Sequence, residues 1–291
     1  MAVYEHSYKL YAGRLTPEWS RFLIIPRHAF RDVFASKLFV GFFVFCFICP
    51  LVMAILIYLH YNVNALLIMQ LKVSDIVKIN GEFFRVYLSI QSSLAFLLTV
   101  LIGPPLVSRD MSNNALPLYL CRPFSRVEYM IGKMSVLVIL LSAVTWAPGL
   151  LLFLFQSYLE GAGWFAHNLW IAGAMIIASM AWIVVLALLS MTLSAWLKWR
   201  IAASAGLFAV FMIPGVVGTL IGVMFNTRWG NIINLSMVLE SINASLFRTG
   251  DGSTEASFYL PALAAWVALG LFCAICLLLL SRRVRAYEVV R

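Results

Sequence analysis

GAGWFAHNLWIAGAMIIASMAWIVVLALLSMTLSAWL, residues 161–197, contains no Asp, Glu, Lys or Arg and lies between Glu160 and Lys198. A charge at mid-membrane costs at least about 2.5–3.5 kcal/mol on insertion scales, and about 20 mostly apolar residues cross the hydrocarbon core. The stretch therefore reads as a spanning helix. The same search finds five further charge-free windows, between Lys37 and Lys72, Arg85 and Arg109, Lys133 and Glu160, Arg200 and Arg228, and Glu255 and Arg282. The spacing predicts helices near 38–59, 87–107, 133–157, 169–197, 201–225 and 258–281. Long apolar runs point to helices, because backbone groups within the membrane must be satisfied inside each segment.

Composition agrees. Apolar residues make up 63% of the 291 and charged residues 11%, with a mean hydropathy of +0.95; a soluble domain is roughly 45–50% apolar. The net charge of +9 comes from basic residues dispersed at the ends of apolar runs, which speaks against nucleic acid as a partner. Counted over the segments between the six helices, sixteen Lys and Arg fall on one side and five on the other, which places both termini in the cytoplasm. Residues 1–37 lack a short apolar core followed by a small-residue cleavage site, so no cleaved leader is expected there. Trp164, Trp170, Trp196, Trp199 and Trp229 fall near the expected interfaces. Of Cys46, Cys49, Cys121, Cys273 and Cys276, four lie in apolar runs, which argues against a disulfide framework and suits ordinary small core residues better than a metal path.

The predicted organisation has a cytoplasmic N-terminus with an interfacial helix (1–37), a six-helix transmembrane domain (38–281) and a cytoplasmic tail (282–291). Residues 16–36 suit an amphipathic helix lying on the bilayer, with Thr16 as cap, Pro17 at the first position and Pro26 as a kink. Two outer stretches, 60–86 and 226–257, are long. In the second, Ile232, Ile233, Leu235, Val238, Leu239, Ile242 and Leu246 have the spacing of a half-buried helix.

The segment richest in signals is 103–133, GPPLVSRDMSNNALPLYLCRPFSRVEYMIGK. Pro104 and Pro105 are expected to disrupt the inner end of the second helix. Arg109 and Asp110 follow, then the apolar Leu116, Leu118, Tyr119 and Leu120, then Arg122 and Pro123. Ser125 and Glu128 have capping-box spacing for a new helix beginning near Arg126. These residues describe a cytoplasmic elbow, residues 108–132, offering apolar and basic side chains to a partner.

The run Ser108, Arg109, Asp110, Ala115, Leu116, Pro117, Leu118, Tyr119, Leu120, Arg122, Pro123, Ser125, Arg126, Glu128, Tyr129, Gly132 and Lys133 resembles the membrane subunits of ABC-2 type ATP-binding-cassette transporters, the permease half of many bacterial exporters. The family usually carries glycine before the Ala-Leu pair, where this chain has Asn114. The resemblance implies an all-α, type V exporter-like transmembrane domain in the bacterial inner membrane. It also implies a second permease copy or paralogue as partner, and a coupling loop that docks on a cytoplasmic ATPase present in two copies.

The chain carries no phosphate-loop pattern of its own. Around Gly132-Lys133, Val127 stands where the first glycine belongs and Met134 where the hydroxyl belongs. No cofactor is expected on this chain, with ATP and Mg bound by the partner ATPase, and no metal site is expected. An ion-coupled carrier or channel is the rival reading. It would need polar or broken-helix sites, for which a break at Pro214, Gly215, Gly218 and Gly222 is one candidate and close helix packing the other. A non-transporting scaffold is the third reading. Gln91, Ser92, Ser93 and Thr99 are candidate pathway-lining residues, or helix-to-helix glue. Protease and hydrolase motifs are absent, so no catalytic residue is expected.

Overall fold

The computed structural model describes residues 24–62, 79–112, 126–197, 199–249 and 259–283, and all the regular structure among them is helical. A short helix α1 (Ile24–Phe34) leads into α2 (Lys37–Phe45) and α3 (Ile48–Tyr61), then α4 (Gly81–Ser112), α5 (Arg126–Val144), α6 (Trp146–Glu160), α7 (Ala162–Trp196) and α8 (Arg200–Phe225). A 3-10 turn (Arg228–Ile232), α9 (Leu235–Leu246) and α10 (Ala262–Arg283) complete it. Six stretches are long and apolar enough to cross a membrane: Lys37–Tyr61, Gly81–Leu106, Val127–Glu160, Ala162–Trp196, Arg200–Phe225 and Ala262–Arg282. This is the architecture of an all-α, multi-pass membrane protein. The end of the bundle that holds Lys37, Arg126 and Arg200 is called the basic end below.

α7 is the central helix. It packs against α4, α5, α6, α8, α9 and α10, and small residues such as Ala174, Ala178, Ala187, Ser190 and Ser194 are buried along it. Small side chains let backbones approach where no hydrophobic force drives spans together. The closest approach is at Gly103 of α4, where an added Cβ would overlap Ser190 Oγ and stand 2.9 Å from Ser190 Cβ. Gly103→Ala is therefore expected to lower thermal stability by about 1–3 kcal/mol through overpacking. Gly270→Ala, whose Cβ meets nothing within 4 Å, is the control and should not. Ser190→Gly should rescue Gly103→Ala. Unfolding of the purified variants in detergent reads all three; equal stability for the two alanine variants would refute the contact.

Two spans are broken near the middle, and proline explains both. Pro50 has no N–H for Cys46 O, and Pro148 has none for Val144 O, four residues earlier in each case. The first span divides at Cys46–Phe47 and the third at Thr145. Gln91 of α4, fully buried, supplies the missing donor to both. Its Nε2 donates to Cys46 O at 3.0 Å and to Val144 O at 2.7 Å. Tyr87 OH, one turn earlier, donates to Thr145 O at 2.8 Å.

The expected disruption at Pro104 and Pro105 does not occur. α4 runs through both prolines to Ser112. Pro104 leaves Val100 O without its helical donor, and Ser204 Oγ of α8 donates to that carbonyl at 3.2 Å. Pro105 likewise frees Leu101 O, so this hydroxyl reaches one of the two freed carbonyls and shares its single proton with Arg200 O of its own helix at 3.1 Å. Of the expected 16–36 helix, residues 16–23 lie outside the described residues. Pro26 falls in the first turn of α1, so it does not divide the described helix.

The described part of the second long stretch, residues 226–249, folds back into the bundle. α8 ends at Asn226, whose left-handed backbone (φ 48°, ψ 43°) reverses the chain. Gly230 then lies against Gly218 and Gly222, where added Cβ atoms would stand 2.9 Å from Gly230 O and 3.3 Å from Thr227 O. Asn234 caps α9 through a bond from Met237 N at 3.3 Å and donates to Gly215 O at 3.4 Å. Leu235, Val238, Leu239 and Ile242 are buried in the main core, while Ile232 and Ile233 face outward.

Candidate functional site at the basic end

Tyr129 and Lys133 are one helical turn apart on α5, which puts both side chains on one face. That face meets the last turns of α4. Lys133 Nζ is 2.9 Å from Asp110 Oδ2, and Tyr129 OH donates to the same oxygen at 2.7 Å. Lys133 also lies over the Tyr129 ring, 5.9 Å from its centroid. Both charged side chains are largely covered, at 10% exposure for Lys133 and 15% for Asp110. Tyr129 is fully buried with Met191, Ala195 and Leu280. One turn back, Ser108 Oγ donates to Pro104 O at 2.7 Å. The two helices that enclose residues 113–125 are thus joined at their bases by an ion pair and a hydroxyl.

Of the expected coupling residues, Leu116, Leu118, Tyr119, Leu120, Arg122, Pro123 and Ser125 lie outside the described residues. Arg109 is in the last turns of α4 and Arg126 opens α5, with their side chains outside the described set. Glu128 is half-buried and engaged. Asp110 is in the ionic cluster. Sequence reasoning placed Tyr129 and Lys133 in the motif without giving either a role; their four-residue spacing on a basic, amphipathic helix start was the available signal.

The four candidate lining residues do not share one surface. Gln91 and Thr99 are fully buried, and Thr99 bonds its own helix at Ala95 O. Ser92 is covered, its carbonyl accepting from Trp182 Nε1 at 3.0 Å. Gln91 is a helix-to-helix tie. Ser93 faces outward, in a stripe on α4 with Val86, Ile90, Leu97 and Leu101, all 38–43% exposed. α2, α3 and α8 pack beside α4, and the first and fifth spans are themselves among the least covered. Pro214, Gly215, Gly218 and Gly222 lie in an unbroken helix. The glycines receive the returning 227–234 segment, so this site is packing and not a break.

At the other end, Arg85 is paired with Glu82 at 2.6 Å and with Glu240 of α9, fixing the returned helix to the start of α4. Tyr61 OH donates to Glu160 Oε2 at 2.8 Å, and Gln156 joins both. Cys46, Cys49, Cys273 and Cys276 are free thiols. Among the described residues, no three His, Cys, Asp or Glu side chains gather as metal ligands would. Compared with known proteins, the chain matches no family model and no curated sequence.

Proposed function

We propose that this chain is the permease subunit of an ATP-binding-cassette transporter of the ABC-2 kind, moving its substrate outward across the bacterial inner membrane. In this reading it pairs with a second copy or a paralogue and is driven by two ATPase subunits that bind ATP and Mg. The observation that carries the proposal is the run from Ser108 to Lys133. Its residues resemble the family's coupling segment, and its two ends, at Asp110 and Lys133, are locked together. A loop anchored at both bases can pass a push from a docked ATPase into α4 and α5 as one unit. The part of the exposed α4 stripe formed by Val86, Ile90 and Ser93, between the first and fifth spans, offers a surface for the second permease copy and a path between the two.

The ion-coupled reading loses its candidate site in α8, which is continuous through Pro214 and Gly215, and at the two spans that do break the carbonyls freed by proline accept from Gln91 Nε2. The direct test is to tag the chain, solubilise native membranes gently with ATP hydrolysis blocked, and identify what co-purifies. A stoichiometric ATPase is expected; its absence from an otherwise intact complex would sink the proposal. Leu118→Asp combined with Arg122→Glu should then abolish that association and cut transport at least about tenfold, equivalent to losing about 1.4 kcal/mol of coupling. Insertion and thermal stability should hold. Undiminished association in this variant would remove the loop from the docking surface.

A further inference from the structure

A cavity of ≈ 390 Å³ opens at the basic end, bounded by α1, the start of α2, the last turns of α4, Lys133 of α5 and Arg200 of α8. Four span ends meet at it: Leu38 is in the first turn of the first span, Leu106 ends the second, Lys133 is in the second turn of the third and Arg200 begins the fifth. A cavity among span ends lies at the level of lipid headgroups. Its deep wall is apolar, with Phe39, Ile102 and Leu106 buried. Its rim is charged with both signs. Lys133 and Asp110 are committed to each other. Asp32 of α1 and Arg200 of α8, with His28 beside Asp32 on α1, are exposed. Neither Asp32 nor Arg200 forms an ion pair among the described residues. Leu101 lines the cavity yet is 38% exposed, so the apolar α4 stripe runs from the cavity along the bundle toward Leu97.

We propose that this cavity binds one phospholipid with a primary-amine headgroup of the phosphoethanolamine type. The phosphate pairs with Arg200, the ammonium donates to Asp32, and an acyl chain lies along Leu101 and Leu97. A guanidinium recognises phosphate with charge-assisted hydrogen bonds. A headgroup that is only anionic would set a phosphate near Asp32 with no ammonium of its own to offset that carboxylate. A quaternary ammonium has no N–H to donate. The amine-phosphate zwitterion is the headgroup that meets both free charges, and the exposed apolar stripe gives its chain a bed. The bound lipid would fasten α1 to α4 and α8. This site does not depend on the transport reading.

The test is native mass spectrometry and thermal unfolding of the full chain in detergent, titrated with dioleoyl phosphatidylethanolamine, phosphatidylcholine or phosphatidylglycerol. The ethanolamine lipid is expected to bind stoichiometrically and raise the unfolding temperature more than the other two. Arg200→Gln should weaken that binding about tenfold, the loss of one charge-assisted bond. Asp32→Asn should erase the preference for the amine and favour phosphatidylglycerol; both substituted residues are exposed, so folding is not at risk. Glycerophosphoethanolamine, the headgroup without chains, should give no protection. Equal protection by the ethanolamine and choline lipids, full protection by the chain-free headgroup, or unchanged binding in both variants would each overturn the proposal.

Discussion

Replacing Lys133 by methionine alone is expected to destabilise the protein by about 3–5 kcal/mol, and replacing Asp110 by asparagine alongside it should return much of that loss. Methionine keeps the unbranched stem that packs over Tyr129 but removes the charge. Asp110 is then left with the Tyr129 hydroxyl as partner in a site only 15% exposed. A largely buried carboxylate without its cation is far worse than no pair, because its desolvation is no longer offset. In the double variant the remaining amide still accepts from Tyr129, and no charge is stranded. The readout is a double-mutant cycle on thermal unfolding in detergent. A positive coupling of 1 kcal/mol or more, within the roughly 0.5–3 found for contacting pairs, is expected. Strictly additive losses would mean that the two side chains are solvated separately, and the locked elbow would not exist.

The same double variant separates fold from mechanism. It should insert and fold nearly as the parent does, while the bases of the 113–125 segment are held only by a neutral hydrogen bond. If the proposed coupling is right, ATP-driven transport falls in this variant although stability returns. A variant that recovers both would assign the ion pair to stability alone.

How much of this was legible beforehand depends on the range of the interaction. The six spans followed from charge-free windows, because the membrane imposes its rule on each segment separately. The buried stripe Leu235, Val238, Leu239 and Ile242 of α9 was readable from its spacing for the same local reason. Each proline leaves without a donor the carbonyl four residues earlier. What the sequence did not reveal is who replaces that donor, since Gln91 and Ser204 arrive from other helices. Pro50 and Pro148 accompany breaks while α4 runs on through Pro104 and Pro105, and nothing in the local sequence separates the two cases. The glycines of α8 read as either a break or a packing pattern, and the partner that decides for packing, the turn at Gly230, is a return of the same chain and leaves no mark in the local sequence. Asp110 and Lys133 were both in view within one motif, yet their pairing depends on α4 continuing past its prolines.

Gln91→Leu is expected to lose about 2 kcal/mol, since two buried carbonyls give up their donor at once and such interhelical bonds in membranes are worth about 0.6–2 kcal/mol each. The more telling measurement is its combination with Pro148→Ala. In the parent, Pro148→Ala supplies an N–H to a carbonyl that Gln91 already satisfies at 2.7 Å. It also trims a buried side chain, so it should be neutral or harmful. In the Gln91→Leu background the new N–H has an orphaned acceptor at Val144 O, four residues earlier. There it should recover about half of the loss, leaving Cys46 O as the remaining deficit. The sign of the interaction is the test: Pro148→Ala must be less harmful, or stabilising, when Gln91 is absent. The same logic predicts partial rescue by Pro50→Ala through Cys46 O, and the two rescues should add because the carbonyls lie on different spans. If Pro148→Ala costs the same in both backgrounds, Gln91 is not the replacement donor, and packing alone must hold the breaks at Thr145 and Cys46.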